Sequence, residues 1–133
     1  MTAAQANPGS DAADRIRAGY AARGAGVPAS VEARIELAGQ AGRLDALEAV
    51  ENLKRALVAE SCLDPKTEEL IHFAQILVLG HAVNAGLHAR SALRRGASMA
   101  ELLAVVEHAA ITAGLPAYVL GMDILTGLAG EAQ

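Results

Sequence analysis

The chain has 133 residues, a formal net charge of −4 at pH 7 and 53% hydrophobic residues. This length is enough for one domain with its own core, which must be built mainly from Ala, Leu, Val and Ile because aromatic residues make up only 2%. The acidic balance argues against a nucleic-acid partner, since phosphate binding needs clustered Lys and Arg and only the short pair Arg94-Arg95 is present.

The cysteine content and the hydropathy of the sequence indicate in which cellular compartment the protein is expected. A single cysteine, Cys62, cannot form an intramolecular disulfide, which is typical of a reducing compartment. The opening segment MTAAQANPGSDAADR has neither the basic nor the apolar part of a secretory signal, and no run of about 20 apolar residues could span a membrane. We therefore expect a cytoplasmic protein with no membrane partner.

The beginning of the chain is predicted to be a tail that leads into helices. Residues 1–10 are small and polar and include Pro and Gly, so we expect a disordered tail there. Residues 11–133 are expected to form a single all-helical domain. Asp11 is predicted to cap the first helix, which should run to Arg23, before the segment GAGVP ends it.

Two further helices are predicted in the first half of the chain. Ser30 is a good N-cap residue for a helix over residues 31–40, in which apolar residues recur at helical intervals. The leucines and valine from Leu44 onward then predict an amphipathic helix that ends near Glu60.

The second half is predicted to hold four helices, because a capping residue, a glycine or a proline marks each boundary. Ser98 and Glu101 are spaced as a capping box, in which the side chain of each residue accepts a hydrogen bond from the backbone N–H of the other. The predicted helices run from Asp64-Pro65 to about Leu79, from His81 to Arg95, from the capping box to about Gly114, and from Leu115 to about Leu128. No stretch alternates as a strand does, so the chain is predicted to be all-α, with about six to seven helices.

A group of polar side chains on one predicted helix is the main site candidate. At 100° per residue, His81, Asn84 and His88 lie within about 60° of one another on a helix. Glu69 precedes His81 by twelve residues on the preceding helix. The surrounding residues are small and apolar, so we expect this face to point into protein.

Leu63 to about Leu125 resembles the carboxymuconolactone decarboxylase family, which also contains the alkylhydroperoxidase D branch. The similar segments are LDPKTEELIHFAQILVLG, LHARSALRRGAS and MAELLAVVEHAAITAGLPAYVLGMDIL. Among them the spaced residues Glu69, His88, Ala92 and Gly96, the pair Glu101-Leu102 and the segment AGLPA carry the resemblance. The family-like core is placed at residues 63–128, and residues 1–60 show no resemblance.

The resemblance implies a helical bundle of the alkylhydroperoxidase D-like type, assembled as a homotrimer or homohexamer with sites near subunit contacts. Its peroxidase-like branch uses Cys-x-x-Cys-x-x-x-His and an upstream Glu, and these positions are His81, Asn84, His88 and Glu69 here. Both cysteines are replaced, and Cys62 cannot supply a pair. A cysteine-dependent peroxidase is therefore not expected.

The decarboxylase branch, which works without a cofactor, resembles the chain better. The resemblance then implies that His88 is the principal acid/base and Glu69 its partner, while His81 and Asn84 line the substrate pocket. The expected substrate is a small oxygenated organic acid or lactone, which the protein decarboxylates or isomerises with no cofactor.

Two other functions stay open at this point. Glu69 and His72 form a Glu-x-x-His arrangement of the kind found in metal-binding helical bundles, and His81 and His88 could complete a set of metal ligands. Alternatively, the chain is a non-catalytic oligomer that binds a small apolar or acidic ligand in the same pocket.

Overall fold

A computed structural model of the chain describes residues 8–22 and 26–132, which form seven α-helices and no strand. The predicted all-α class is confirmed. The helices are α1 (Pro8–Ala21), α2 (Ala29–Gln40), α3 (Leu44–Ala59), α4 (Pro65–Val78), α5 (Ala82–Arg94), α6 (Met99–Ala113) and α7 (Leu115–Glu131). Within the described residues, no helix combines the length and the apolar character that crossing a membrane requires.

The helices divide into two compact units, Met1–Ser61 and Cys62–Gln133. The first unit contains α1 to α3 and the second contains α4 to α7. The single domain expected over residues 11–133 stays a prediction.

The first unit has a small aliphatic core of its own. Its buried residues are Ala13, Ile16, Val31 and Ile35, with Tyr20, Val27, Leu44 and Leu47 packed against them. A polar contact joins α1 to α3, because the Tyr20 hydroxyl donates to the buried carboxylate of Glu51 at 2.8 Å. Glu51, the buried charged side chain among the described residues of this unit, therefore has its hydrogen-bond partner within the unit.

Helix α1 starts earlier than predicted, and Asp11, the predicted cap, lies inside the helix. Residues 8–10, expected in the tail, are helical, because a proline fits the first turn of a helix, where no N–H is needed. Residues 1–7 of the predicted tail and Arg23, the predicted end of the first helix, lie outside the described residues.

Ser30 is not the N-cap of α2, and this prediction is wrong. The N-cap residue is Pro28, whose backbone is extended and whose carbonyl accepts from the N–H groups of Val31 and Glu32 at 2.9 and 3.1 Å. Pro28 favours the extended backbone that precedes a helix, so the helix begins at Ala29, before Ser30.

The two predicted caps of the second unit are confirmed. The Asp64 side chain accepts from the Thr67 N–H at 3.0 Å at the start of α4. At the start of α6 the Ser98 hydroxyl accepts from the Glu101 N–H at 3.1 Å, and the Glu101 carboxylate accepts from the Ser98 N–H at 2.8 Å. Caps are local interactions, which is why the residues alone predict them well.

The α4–α5 hairpin positions the candidate site. Gly80 connects the helices with φ +77°, a left-handed conformation that suits glycine, and α5 returns along α4. The facing core residues are large on α4, with Phe73 and Leu77 buried, and small on α5. The buried α5 residues are Ala85, Gly86, Ala89 and Ala92. Small side chains on one partner allow two helices to approach closely.

Helices α6 and α7 complete the core of the second unit. They are joined at Gly114, with φ +79°, and pack closely where Gly121 of α7 meets Val106 of α6. A Cβ atom on Gly121 would lie 2.6 and 2.7 Å from the two Val106 methyl carbons and 3.1 Å from a Leu77 methyl carbon. Both neighbours are buried and have little room to move.

The substitution Gly121→Ala is therefore expected to lower the free energy of unfolding by about 1–3 kcal/mol, the usual effect of overpacking a core. The matched control is Gly127→Ala on the same helix, where an added Cβ meets nothing within 4 Å. Without that clash, alanine should raise the free energy of unfolding by up to about 1 kcal/mol through helix propensity. Urea unfolding of both variants measures the contrast, and equal effects would contradict this account of the packing.

Candidate active site

Glu69 of α4 and His88 of α5 are in direct contact across the hairpin. The Nδ1 atom of His88 lies 2.7 Å from Oε2 of Glu69. The Glu69 side chain is 17% exposed and the His88 side chain 32%, so the contact is shielded but solvent can still reach it. The structure thus brings together the two residues to which the sequence analysis gives the acid/base role, and the role itself stays a prediction.

The protonation of Glu69 determines how this hydrogen bond is made. Burial, the largest single influence, raises the pKa of Glu69, but hydrogen bonds from His88 and Ser91 and the nearby charges of His88 and His72 outweigh it. The net result is a pKa below the ordinary value of 4.5. At neutral pH the carboxylate is ionised and only accepts hydrogen bonds, so Nδ1 of His88 is the donor. The other ring nitrogen, Nε2, is then the one that gains or loses a proton.

His72 lies beside this pair and completes a cluster of three residues. It is one turn after Glu69 on α4, and its ring centroid lies 5.1 Å from that of His88, with the ring planes at 66°. One ligand atom from each of Glu69, His72 and His88 lies within 4.8 Å of the others. We refer to these three residues as the Glu69–His72–His88 cluster.

The structure does not bring His81 and Asn84 into this cluster. His81 is the N-cap of α5, with φ −91° and ψ 84°, so the helical spacing that placed it near His88 does not apply to it. Asn84 is on α5, but both side chains are exposed. The expectation that this face points into protein is wrong for these two residues of the single chain, because α5 buries its alanine face instead. Their role in lining a pocket stays a prediction.

Ser91 is a site residue that the sequence analysis missed. Its hydroxyl lies near Glu69 and helps to lower the pKa of that carboxyl group. Ser91 is half-buried and follows His88 by three residues, so both lie on one face of α5. That spacing is the signal that could have identified it.

A family model described as the carboxymuconolactone decarboxylase family matches residues 45–126. The chain belongs to this family. Comparison with curated proteins and comparison with solved structures give no match.

The matched range is longer than the resemblance seen in the sequence analysis. It begins at residue 45 and therefore includes nearly all of α3, so the expectation that residues 1–60 show no resemblance is wrong for residues 45–60. The leucine spacing of α3 is typical of many amphipathic helices and therefore does not indicate one family. All three residues of the Glu69–His72–His88 cluster lie inside the match.

Glu69 is expected to make the stability of the protein depend on acid pH. Its pKa is lowered by folding, so its stabilising contribution is present above its unfolded pKa and is lost as pH falls through the lower folded pKa. The free energy of unfolding that wild type loses between about pH 5 and pH 3 should therefore exceed the loss in Glu69→Gln.

Urea unfolding of both proteins across this pH range measures the difference. The variant Glu68→Gln, which removes the adjacent carboxyl group outside the cluster, controls for the loss of one charge from the same turn of α4. If the pH dependence of Glu69→Gln is as steep as that of wild type, the hydrogen-bonded carboxylate does not contribute as described.

Proposed function

We propose that this protein is a cofactor-independent acid/base enzyme that decarboxylates or isomerises a small oxygenated organic acid or lactone. The observation that carries the proposal is the 2.7 Å contact between Nδ1 of His88 and Oε2 of Glu69. Membership in the carboxymuconolactone decarboxylase family supports the class of reaction, and the substrate is part of the proposal.

The contact provides what a general acid/base requires. The ionised Glu69 holds His88 in the tautomer whose proton is on Nδ1 and stabilises the imidazolium that forms when Nε2 gains a proton. Partial burial strengthens this interaction, because less water competes for the charges. Glu69 is thus a positioning residue in this proposal, and His88 is the group that exchanges a proton with the substrate.

In the decarboxylation, the bond between the substrate carbon and its carboxylate breaks, and CO₂ leaves. The electron pair moves into the adjacent conjugated carbonyl system, and His88, which starts this reaction as the imidazolium, delivers its Nε2 proton to the carbon. A proton from bulk solvent then restores the imidazolium, so the net reaction consumes one proton and releases CO₂. In the isomerisation, Nε2 first removes a proton from one carbon and then returns it to another, so no atom is gained or lost.

Thiol chemistry is not part of the proposal. The single cysteine, Cys62, is exposed and precedes α4, and it is not among the residues of the cluster. Peroxide reduction by a disulfide pathway needs a nucleophilic thiol and a resolving thiol at the site.

We also propose that the protein is a homo-oligomer, a trimer or a hexamer, in agreement with the expectation from the family resemblance. The second unit exposes several large apolar side chains, with Val83 and Ile111 each 80% exposed and Leu115 73% exposed. Exposed apolar patches of this kind are typical of interfaces. Val83 and Leu87 share one face of α5, next to the face of His88, so a second copy bound there would also shield the site.

The acid/base proposal predicts that His88→Asn lowers kcat/KM by about 100-fold or more, the usual contribution of a general acid or base. Glu69→Gln should cause a smaller loss, because the imidazole remains but is less well oriented. The substrates to test are carboxymuconolactone and a panel of carboxylated lactones and β-keto acids. Release of CO₂ measures decarboxylation, and deuterium incorporation from D₂O measures isomerisation.

His108→Asn is the matched control for the activity experiment, because His108 is an exposed histidine on α6 outside the cluster. Its activity should equal that of wild type, while circular dichroism confirms that all variants are folded. Turnover that survives in His88→Asn contradicts the proposed role of His88. Binding of a lactone without turnover by wild type would instead support a non-catalytic ligand-binding protein.

The assembly proposal predicts that Val83→Glu shifts the protein from an oligomer to a monomer, because a buried unpaired charge at an interface is strongly unfavourable. Ala100→Glu is the control, since it adds the same charge at the exposed first turn of α6, where the helix dipole favours it. Analytical ultracentrifugation gives the masses. A monomeric wild type at micromolar concentration would rule out the assembly.

A further inference from the structure

We propose that the Glu69–His72–His88 cluster binds one divalent transition-metal ion, with zinc as the first candidate. This goes beyond the proposed function, which uses no metal. It also differs from the four-residue set considered in the sequence analysis, because His81 is not part of the cluster.

The backbone already places the three ligands close to the geometry that zinc requires. Glu69 and His72 are one turn apart on α4, and His88 comes from α5, so two elements contribute to the site. Zinc bonds to His nitrogen and carboxylate oxygen are about 2.0–2.2 Å long, which puts tetrahedral ligand atoms about 3.4 Å apart. The ligand atoms of the cluster are at most 4.8 Å apart. The widest pair must therefore close by at most about 1.4 Å, a shift of the size that side-chain rotation provides.

The chemistry of the ligands selects the type of ion. Two imidazoles and one carboxylate are a common donor set for catalytic zinc and for mononuclear non-haem iron. Calcium and magnesium prefer six or more oxygen ligands, and the cluster offers one carboxylate. A two-iron centre needs two Glu-x-x-His motifs and further glutamates, so a single ion is expected.

Charge and hydrogen bonding around the cluster also fit a cation. Glu69 is ionised at neutral pH and supplies a negative charge at the site. The Ser91 hydroxyl lies near this carboxylate, where it can orient it as groups around metal ligands commonly do. His88 is 32% exposed, so an ion has a route to the site and water can occupy the remaining coordination position.

Metal binding has a consequence for the proposed enzyme activity. An ion and a proton compete for the electron pairs of the same imidazole and carboxylate groups. We therefore expect the metal-loaded protein to lose acid/base turnover and the metal-free protein to retain it. This consequence rests on the proposed function, whereas binding of the ion does not.

The experiment uses the 133-residue chain without an affinity tag, treated with EDTA and then dialysed. Calorimetric titration with Zn²⁺ should give one ion per chain, and titration with Co²⁺ should give visible absorption bands typical of nitrogen and oxygen ligands in a tetrahedral site. His72→Asn should weaken binding by roughly tenfold or more, since loss of a ligand costs at least as much as loss of a residue that supports one. His108→Asn should bind as wild type does.

Several outcomes would overturn the proposal. The proposal is wrong if wild type binds neither ion. It is also wrong if His72→Asn and Glu69→Gln bind the ions as tightly as wild type does. Circular dichroism establishes that the variants are folded, and His72→Gln replaces His72→Asn if the latter unfolds. Ion binding is measured by calorimetry and visible absorption, without reference to lactone turnover, so the two proposals are tested separately. Failure of turnover in the metal-free wild type would affect only the proposed function.

Discussion

The close packing of α5 against α4 is the constraint on which the site depends. Gly80 reverses the chain in a left-handed conformation, and a row of buried alanines on α5 shares one core with the buried Phe73 and Leu77 of α4. The polar residues of the two helices then have to meet at the edge of this apolar contact. Glu69 and His88 do so at 2.7 Å, with His72 beside them. A larger residue in the alanine row would separate the helices and, with them, the cluster.

The resulting environment explains why the same three residues fit two kinds of chemistry. A half-buried carboxylate next to an imidazole holds one proton in a defined place, which is the requirement for acid/base catalysis. A second imidazole at the same edge adds a third electron-pair donor, which is the requirement for a transition-metal ion. A proton and a metal ion compete for the same electron pairs of these side chains. Which of them the cluster binds therefore depends on the pH and on the concentration of the metal ion.

Local features of this chain were predictable from its residues. The caps at Asp64 and Ser98 and the glycine at residue 80 define helix ends through contacts within a few residues, and the structure has them where expected. The prediction that Ser30 is the N-cap of α2 was wrong, because the helix begins earlier and Pro28 is its N-cap residue. The pairing of Glu69 with His88 was also expected, but that expectation came from the family resemblance. A helical wheel places His81 and Asn84 on the face of His88, but it does not say which direction is buried, and both residues are exposed in the single chain.

By itself, the sequence determined the all-helical class, most helix boundaries and the family, because periodicity, caps and spaced motifs are properties of the residues in order. Only the tertiary structure decided that α5 buries its alanine face, that His72 joins Glu69 and His88, and that Ser91 supports the carboxylate. These outcomes depend on how two helices pack, and packing depends on the shapes of both surfaces together. Residues distant in the chain therefore became one site only when the hairpin closed.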